Sequence, residues 1–199
     1  MKIVFATGNN DKMREIRQIL GGFTEDIVSM KDAGIDIDIV EDGTTFEENA
    51  LIKARAVHNY CEDAIVLADD SGLEIDYLNK EPGIYSARYL GRETPYPEKN
   101  SIILDKLKDV PDEKRSARFV CAIAACLPGG KEIVVRGTME GKIGYEIAGE
   151  NGFGYDPIFF LPEYGKTSAQ LLPEEKNAVS HRGKALRMME EKLKETFNA

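Results

Sequence analysis

The sequence has no tryptophan, only two histidines and only three cysteines among its 199 residues. The cysteines, Cys61, Cys121 and Cys126, are odd in number and none belongs to a Cys-x-x-Cys pair. A disulfide framework and a zinc knuckle are therefore not expected, and a reducing compartment suits the chain. Because His58 and His181 are the whole histidine complement, a histidine-rich zinc site is excluded as well.

Long hydrophobic runs are also missing. The first apolar stretch, residues 3–6, gives way to a Thr-Gly-Asn sequence, and a second one, residues 119–127, ends at Pro128. Neither reaches the length of a signal peptide's apolar region or the roughly 20 residues of a membrane helix. We therefore expect a soluble cytoplasmic protein with no membrane partner.

Basic residues are in the minority, with 26 Lys and Arg against 35 Asp and Glu, which gives a formal net charge of -9. A molecule of this charge repels polyanions, so a nucleic acid polymer is not an expected partner. The length and the hydrophobic share of 42% are sufficient for one well-buried domain or for two small lobes that share a core.

Alternating strand and helix patterns predict an α/β fold with a mixed sheet. Residues 2–6 are typical of a strand, and apolar residues then recur at helical spacing from Met13 to Leu20. The apolar run 64–68 predicts a central strand that ends at Asp69 and Asp70, where open α/β sheets place ligands.

Three further elements follow from capping and turn signals. Thr44 and Glu47 form a capping-box pattern that predicts a helix N-terminus. Residues 115–127 and 132–138, joined by a Pro-Gly-Gly turn, predict a long antiparallel hairpin. A last helix is predicted after Ser180, with a buried stripe of apolar residues: Leu186, Met189, Leu193 and Phe197.

A polar loop joins the first strand to the first helix. Its residues are Thr7, Gly8, Asn9, Asn10, Asp11 and Lys12. Gly8 and the asparagines permit unusual backbone angles, amides at a helix N-terminus point outward, and Lys12 adds a positive charge, so an anion would be held there. The alternative is an ordinary β–α turn with an Asn or Asp N-cap, and this segment taken alone favours it.

Acidic residues form a second candidate group, made of Glu41, Asp69 and Asp70. Carboxylate oxygens suit a hard cation, and Mg2+ uses only one or two protein carboxylates together with substrate phosphates. An Asp-Ser-Gly turn that merely caps a loop is an equally good interpretation of the Asp70-Ser71 segment.

A third and a fourth group are aromatic and basic. The glycines of the segment 152–157 would let a flat ligand approach Phe153, while Asp156 and the main chain could bind a ring edge. Core packing of these aromatic residues is the alternative. Lys176, His181 and Arg182 place donors just before the last helix, where a solvated basic helix start is the alternative. Together, the four groups are what a nucleoside triphosphate requires.

A serine hydrolase triad remains open, since His181 could pair with Ser71 or Ser86, although the sequence contains no Gly-x-Ser-x-Gly elbow.

The sequence resembles the Ham1 family of inosine/xanthosine triphosphate pyrophosphatases over essentially its whole length. Six ordered blocks carry the resemblance: Thr-Gly-Asn-x-x-Lys at 7–12, Thr-Phe-Glu-Glu-Asn-Ala at 45–50, Asp-Asp-Ser-Gly-Leu at 69–73, Pro-Gly-Ile-Tyr-Ser-Ala-Arg at 82–88, Gly-Phe-Gly-Tyr-Asp-Pro at 152–157 and Ser-His-Arg at 180–182.

The resemblance implies a single domain over residues 1–199, an elongated two-lobed α/β fold with a long central mixed sheet, a homodimer, and Mg2+-dependent cleavage of non-standard purine triphosphates to monophosphate and pyrophosphate. It also implies roles. Thr7, Gly8, Asn9, Asn10, Asp11 and Lys12 would bind the triphosphate. Glu41 and Asp70 would hold Mg2+, and Asp70 would also accept the proton of the attacking water.

For the rest of the nucleotide, the resemblance implies that Ser71 borders the ligand. The base and the sugar would be cradled by Phe153, Gly154, Tyr155 and Asp156. Lys176, His181 and Arg182 would address the purine, and Lys53 is a further candidate phosphate ligand. Other interpretations stay open: a phosphatase or Maf-like pyrophosphatase, and a sensor that binds a nucleotide without cleaving it.

Overall fold

The computed structural model describes residues 2–197, which form five α-helices and seven β-strands. The strands are β1 (Ile3–Phe5), β2 (Ile27–Ser29), β3 (Ile65–Ile75), β4 (Ser116–Cys126), β5 (Glu132–Ile143), β6 (Phe159–Leu161) and β7 (Lys166–Thr167). The helices are α1 (Asn10–Leu20), α2 (Phe46–His58), α3 (Tyr96–Lys106), α4 (Pro173–Val179) and α5 (His181–Phe197). None of the helices in this part of the chain is long and apolar enough to cross a membrane.

The strands form one sheet in the order β2-β1-β3-β4-β5-β6-β7. β1 is parallel to both β2 and β3, whereas β6 is antiparallel to β5 and β7. The five-residue connection between β4 and β5 is too short for a parallel crossover, so this neighbouring pair is the predicted hairpin. The α/β prediction with a mixed sheet is confirmed.

The end predicted for β3 is wrong. β3 does not stop before Asp69 and Asp70 but runs on to Ile75. β1 is short, and its last residue, Phe5, pairs with Leu67. β4, the neighbour of β3 on the other side, is eleven residues long and sustains the strand. The two aspartates therefore lie within β3, just beyond the point where the parallel pairing with β1 ends.

Two helix details also differ from prediction. The N-cap of α2 is Thr45 rather than Thr44, and its hydroxyl accepts from the Glu48 amide at 3.1 Å. Glu48 in turn accepts from the Thr44 amide at 2.7 Å, which shifts the predicted capping pattern by one residue. On α5, Leu186, Met189 and Leu193 are buried, but Phe197 at the helix end is 49% exposed because it extends past the core.

The described chain divides into two compact units. The first unit contains residues 2–70, 121–137 and 181–197. Its core is formed by β1, the start of β3 and the end of β4, with α1 and α5 packed against each other. Gly137 of β5 allows α5 to approach, because a Cβ atom there would lie 2.4 Å from the carbonyl oxygen of His181.

The second unit contains residues 71–120 and 138–180. Its core includes Ile103 and Leu107 of α3, Phe119 of β4 and Phe159 of β6. Arg115 is only 1% exposed and donates to backbone carbonyls, among them that of Ile143 at 2.9 Å. Those carbonyls satisfy a charged group that would otherwise be costly to bury.

Candidate active site

The predicted anion loop forms a capped helix start. Asn9 is the N-cap of α1, and its side-chain oxygen accepts from the amides of Asp11 at 2.9 Å and Lys12 at 3.0 Å. The Asn9 amide donates to the Thr7 hydroxyl at 3.1 Å. The N-cap alternative is thus what the structure contains, and the loop is held in shape by its own side chains.

Gly8 plays a different part from the predicted one. Its φ angle is not in the left-handed region, so the turn does not require glycine for its backbone angles. A Cβ atom at Gly8 would have no neighbour within 4 Å. The backbone of this exposed residue is therefore open to close approach from outside.

Asp69 is the centre of a buried ion-pair network in the first unit. Its carboxylate, 1% exposed, lies 3.0 Å from the Lys12 ammonium and 3.2 Å from the Arg182 guanidinium. Arg182 also donates to Glu15 of α1, at 2.5 Å. Burial alone would raise the pKa of Asp69, but the charges of Lys12 and Arg182 outweigh it and hold that pKa well below its usual range.

Asp70 and Glu41 converge on one positive charge. The ammonium of Lys53 lies 2.8 Å from Glu41 and 3.5 Å from Asp70. Asn49, one turn before Lys53 on α2, donates to the other oxygen of Asp70 at 3.2 Å. Burial and the nearby negative charge of Glu41 raise the pKa of Asp70, against the opposing charge of Lys53.

This donor set fits a magnesium ion in part. Within residues 2–197, no group of three or more His, Cys, Asp or Glu side chains is arranged to hold a metal. Glu41 and Asp70 are two hard oxygen donors that already accommodate a cation between them. That is the protein share of a typical Mg2+ site, whose remaining ligands are water and substrate phosphates.

In the second unit, Asp156 organises the aromatic loop. One of its oxygens accepts from the Phe153 amide at 2.9 Å and from the Lys176 ammonium at 2.7 Å, and the other accepts from the Ser168 hydroxyl at 2.9 Å. Gly152 has φ of +76°, and a Cβ atom there would lie 2.3 Å from the Asp156 carboxylate. The glycine is thus required both for the turn and for the room that Asp156 needs.

The two aromatic side chains of this loop differ in burial. Phe153 is half-buried, with the Lys176 ammonium 4.9 Å from its ring centroid. Tyr155 is 3% exposed, stacks edge-on against Tyr96 at 5.2 Å and donates to the Ser86 carbonyl at 2.7 Å. For the Tyr155 side chain, the core-packing alternative is therefore the correct one.

The serine alternative loses one of its candidates. The Ser86 hydroxyl donates to the Gly83 carbonyl at 2.6 Å and accepts from the Leu73 amide at 2.9 Å, in a buried position. That hydroxyl serves the backbone and is not activated by a histidine. Ser71 lies in β3 next to Asp70, and His181 is the first residue of α5.

With this geometry in view, comparison with known proteins decides the family. Residues 3–192 match the sequence model of the Ham1 family. The chain belongs to the Ham1 family.

Similar proteins span the whole length of this Ham1 chain. It is 48% identical to a protein of Clostridium perfringens named dITP/XTP pyrophosphatase, over 97% of each chain. Among solved structures, the Staphylococcus aureus Ham1 protein shares 39% identity with a TM-score of 0.87 and covers 98% of this chain and 100% of its own. A Ham1 protein from Coxiella burnetii shares 40% identity with a TM-score of 0.88, over 98% and 99% of the two chains.

Several residues of this Ham1 chain that support the candidate site were missed in the sequence. Asn49 lies inside one of the six blocks, which was its only signal. Glu15 contacts Arg182 although 167 positions separate them, and Gly137 has no motif around it. Asn100 of α3 donates to the carbonyl of Gly154 at 3.1 Å and so holds the aromatic loop from beneath.

Proposed function

We propose that this Ham1 chain hydrolyses non-canonical purine nucleoside triphosphates, namely ITP, dITP and XTP, to the monophosphate and pyrophosphate, and so removes them from the nucleotide pool. The observation that carries the proposal is the full-length similarity to a protein named dITP/XTP pyrophosphatase. The cationic and acidic groups around β3 are the chemistry that such a reaction needs.

The phosphate end of the substrate is assigned to the first unit. Residues Thr7, Gly8, Asn9, Asn10, Asp11 and Lys12 line it, with Gly8 open to close approach and Lys12 as the positive charge. The Asp69 carboxylate lies 3.0 Å from the Lys12 ammonium and fixes its position. Lys53 is the second cation assigned to phosphate oxygens. It lies beside Glu41 and Asp70, the carboxylates assigned to the metal, and therefore close to metal-bound phosphate.

Glu41 and Asp70 would hold Mg2+, which when bound neutralises phosphate charge and polarises the bond to be cleaved. Asp70 accepts a proton from the attacking water while the water oxygen bonds to the α-phosphorus. The bond between the α-phosphorus and the oxygen that bridges to the β-phosphorus breaks, and pyrophosphate is released. The raised pKa of Asp70 suits a proton acceptor. Asn49 orients that carboxylate through its other oxygen.

The purine and sugar are assigned to Phe153, Gly154, Asp156 and the backbone of Tyr155, with Ser71 bordering the nucleotide. Lys176, His181 and Arg182 address the ring. Hypoxanthine and xanthine carry an acceptor oxygen at C6, whereas adenine carries an amino group. A donor facing that amino group would be left unpaired, at about 1–3 kcal/mol for each group.

A nucleotide screen tests the proposal. The purified protein is incubated with Mg2+ and ITP, dITP, XTP, GTP or ATP, and pyrophosphate and orthophosphate are measured separately. We expect pyrophosphate from the first three and a much lower kcat/KM for ATP. Release of orthophosphate from an ordinary phosphomonoester would favour the phosphatase alternative. Equal rates for all the purine triphosphates would contradict base selection by the proposed donors. Binding of a nucleotide without turnover would favour the sensor alternative.

The variant Asp70→Asn tests the proposed proton acceptor. It keeps the size of the side chain but removes both the charge and the basicity, so kcat for ITP should fall by roughly 10²–10⁴-fold. Asp112→Asn is the matched control, because it makes the same change at an exposed pair in the second unit. Near-normal turnover of Asp70→Asn would remove Asp70 from the mechanism.

We also propose that the protein is a cytoplasmic homodimer. The three cysteines are free thiols, which supports a reducing compartment. The second unit exposes tyrosine side chains, including Tyr77, Tyr85 and Tyr145, a residue type enriched at protein interfaces. Light scattering on the purified protein measures the mass, and a monomer at micromolar concentration would contradict the dimer.

A further inference from the structure

Lys53 occupies an unusual position for a phosphate ligand, because its ammonium lies between the two carboxylates assigned to Mg2+. The nitrogen is 2.8 Å from Glu41 and 3.5 Å from Asp70, and the Lys53 side chain is only 12% exposed. At these distances the ammonium and a divalent ion would compete for the same oxygens.

The Asp70 carboxylate and the loop that carries Glu41 are held by contacts that do not involve Lys53. Asn49 donates to the second oxygen of Asp70 at 3.2 Å, and its own side-chain oxygen accepts from the Gly43 amide at 2.9 Å. The close packing at Gly43 leaves no room for a Cβ atom, which would lie 2.7 Å from Asn49. The loop that carries Glu41 and the strand that carries Asp70 are therefore both tied to α2 through Asn49.

The two other cations of the candidate site in the first unit contact different carboxylates. Lys12 lies against Asp69, and Arg182 lies between Asp69 and Glu15. The charge of Lys53, in contrast, acts directly on Glu41 and Asp70. A positive charge a few ångströms from a bound divalent ion opposes the binding of that ion, because like charges repel strongly where water is largely excluded.

We infer that Lys53 is a tethered counter-ion that stands in for the divalent metal in the free protein and must leave Glu41 and Asp70 when the metal binds. The inference rests on the proposed function, which assigns Mg2+ to these carboxylates. The triphosphate gives the displaced ammonium a new partner, so metal and substrate should each strengthen binding of the other by the same factor.

Binding of Mn2+ to the nucleotide-free protein tests the inference. Mn2+ is followed by loss of the free-ion signal in electron paramagnetic resonance, in wild type and in Lys53→Met, Lys53→Arg and Lys12→Met. Lys53→Met keeps the length of the side chain and removes its charge, so we expect binding to tighten by about tenfold or more. Lys53→Arg keeps the charge, and Lys12→Met acts on a cation that faces Asp69, so neither should tighten binding to that extent.

Weaker or unchanged Mn2+ binding in Lys53→Met would overturn the inference, because it would mean that Lys53 supports the carboxylates rather than competing with the metal. Circular dichroism checks that this variant is folded, and Lys53→Gln replaces it if it is not. Glu41→Gln and Asp70→Asn distinguish a failure of the metal assignment from a failure of the role inferred for Lys53. If neither of them weakens Mn2+ binding, the metal assignment fails and the role of Lys53 fails with it, whereas weakening in both leaves the assignment standing whatever Lys53→Met does.

Discussion

Among the candidate site residues, those of the first unit are acidic and basic side chains that pair with one another, whereas in the second unit one carboxylate, that of Asp156, collects its donors around a single loop. The pairs form two clusters, one of Lys12 and Arg182 with Asp69 and Glu15, and one of Lys53 with Glu41 and Asp70. In the second unit, Asp156 pairs with Lys176 and takes two further hydrogen bonds from neutral donors, the Phe153 amide and the Ser168 hydroxyl.

The difference suggests that the first group acts in the reaction, whereas Asp156 fixes the conformation of the loop that binds the substrate. The second cluster has two carboxylates, Glu41 and Asp70, for the one ammonium of Lys53, so it can accept an added cation, and phosphate would give that ammonium another partner. Asp156 is satisfied by three donors within its own unit, so its charge fixes the backbone of a loop and has little reason to change partner. Variants in the first group should therefore affect kcat, and variants in the second should affect KM and the choice of base.

The largest expected effect is on stability, at the centre of the network. Asp69→Ala leaves Lys12 and Arg182 without a carboxylate that is 1% exposed. Removing one partner from a buried ion pair typically lowers the free energy of unfolding by about 3–5 kcal/mol. Urea denaturation measures the change. Glu195→Gln, which removes an exposed pair with Lys192, is the control and should change stability by less than about 1 kcal/mol. Similar small losses in both variants would show that the network is not a stabilising unit.

In the second unit, Asp156→Asn should act on substrate binding. The amide is nearly the same size, but it no longer carries the charge that holds Lys176 and orients the Phe153 amide. We expect KM for ITP to rise by about tenfold, with kcat changed much less, because the interaction positions the ligand rather than the reacting atoms. Steady-state kinetics measure both constants, and Asp112→Asn, which affects an exposed pair with Lys142 in the same unit, is the control. A fall in kcat alone would contradict the separation.

Gly137→Ala should have a smaller effect, confined to the first unit. The added methyl group would lie 2.4 Å from the His181 carbonyl and 2.7 Å from the Ala185 amide, so α5 would have to shift. Overpacking of this kind lowers the free energy of unfolding by about 1–3 kcal/mol. Thermal or urea denaturation gives the value. Gly22→Ala is the control, since a Cβ atom there has no neighbour within 4 Å.

The smallest expected effect is a dependence on pH. The pKa of Asp69 is lower in the folded protein than in the unfolded chain, despite its burial, because Lys12 and Arg182 favour the charged form. The stability that Asp69 contributes is therefore complete above its unfolded pKa of about 4 and is lost as the pH falls below it. Urea denaturation between pH 5 and pH 3 should show a steeper loss for wild type than for Asp69→Asn. Parallel curves would mean that Asp69 is not the group responsible.

Local signals in the sequence were sufficient for much of the fold. The strand, capped turn and helix at the start of the chain, the hairpin of β4 and β5, and the mixed α/β class all follow from patterns within a few residues of each other. The end of β3 could not be predicted in this way, because it depends on the length of β4, a strand that lies more than forty residues away. The one-residue shift of the α2 cap shows the same limit at close range.

For the candidate site, the family blocks marked residue types but not their partners. Asp69 and Arg182 were both predicted as site residues, yet their contact joins positions 113 apart in the chain. No periodicity predicts such a pair, since it results from how β3 and α5 pack in the first unit. The same holds for Asn100, whose hydrogen bond to Gly154 spans 54 positions.

The side chain of Asn9, which closes the first turn of α1 on itself, bears on how quickly a ligand is captured. Because the amides of Asp11 and Lys12 already donate to Asn9, the loop has the same conformation before a ligand binds. The loop is thus preorganised, and it loses little conformational entropy when a polyphosphate binds. Encounter should then be governed by diffusion and charge rather than by rearrangement of the chain.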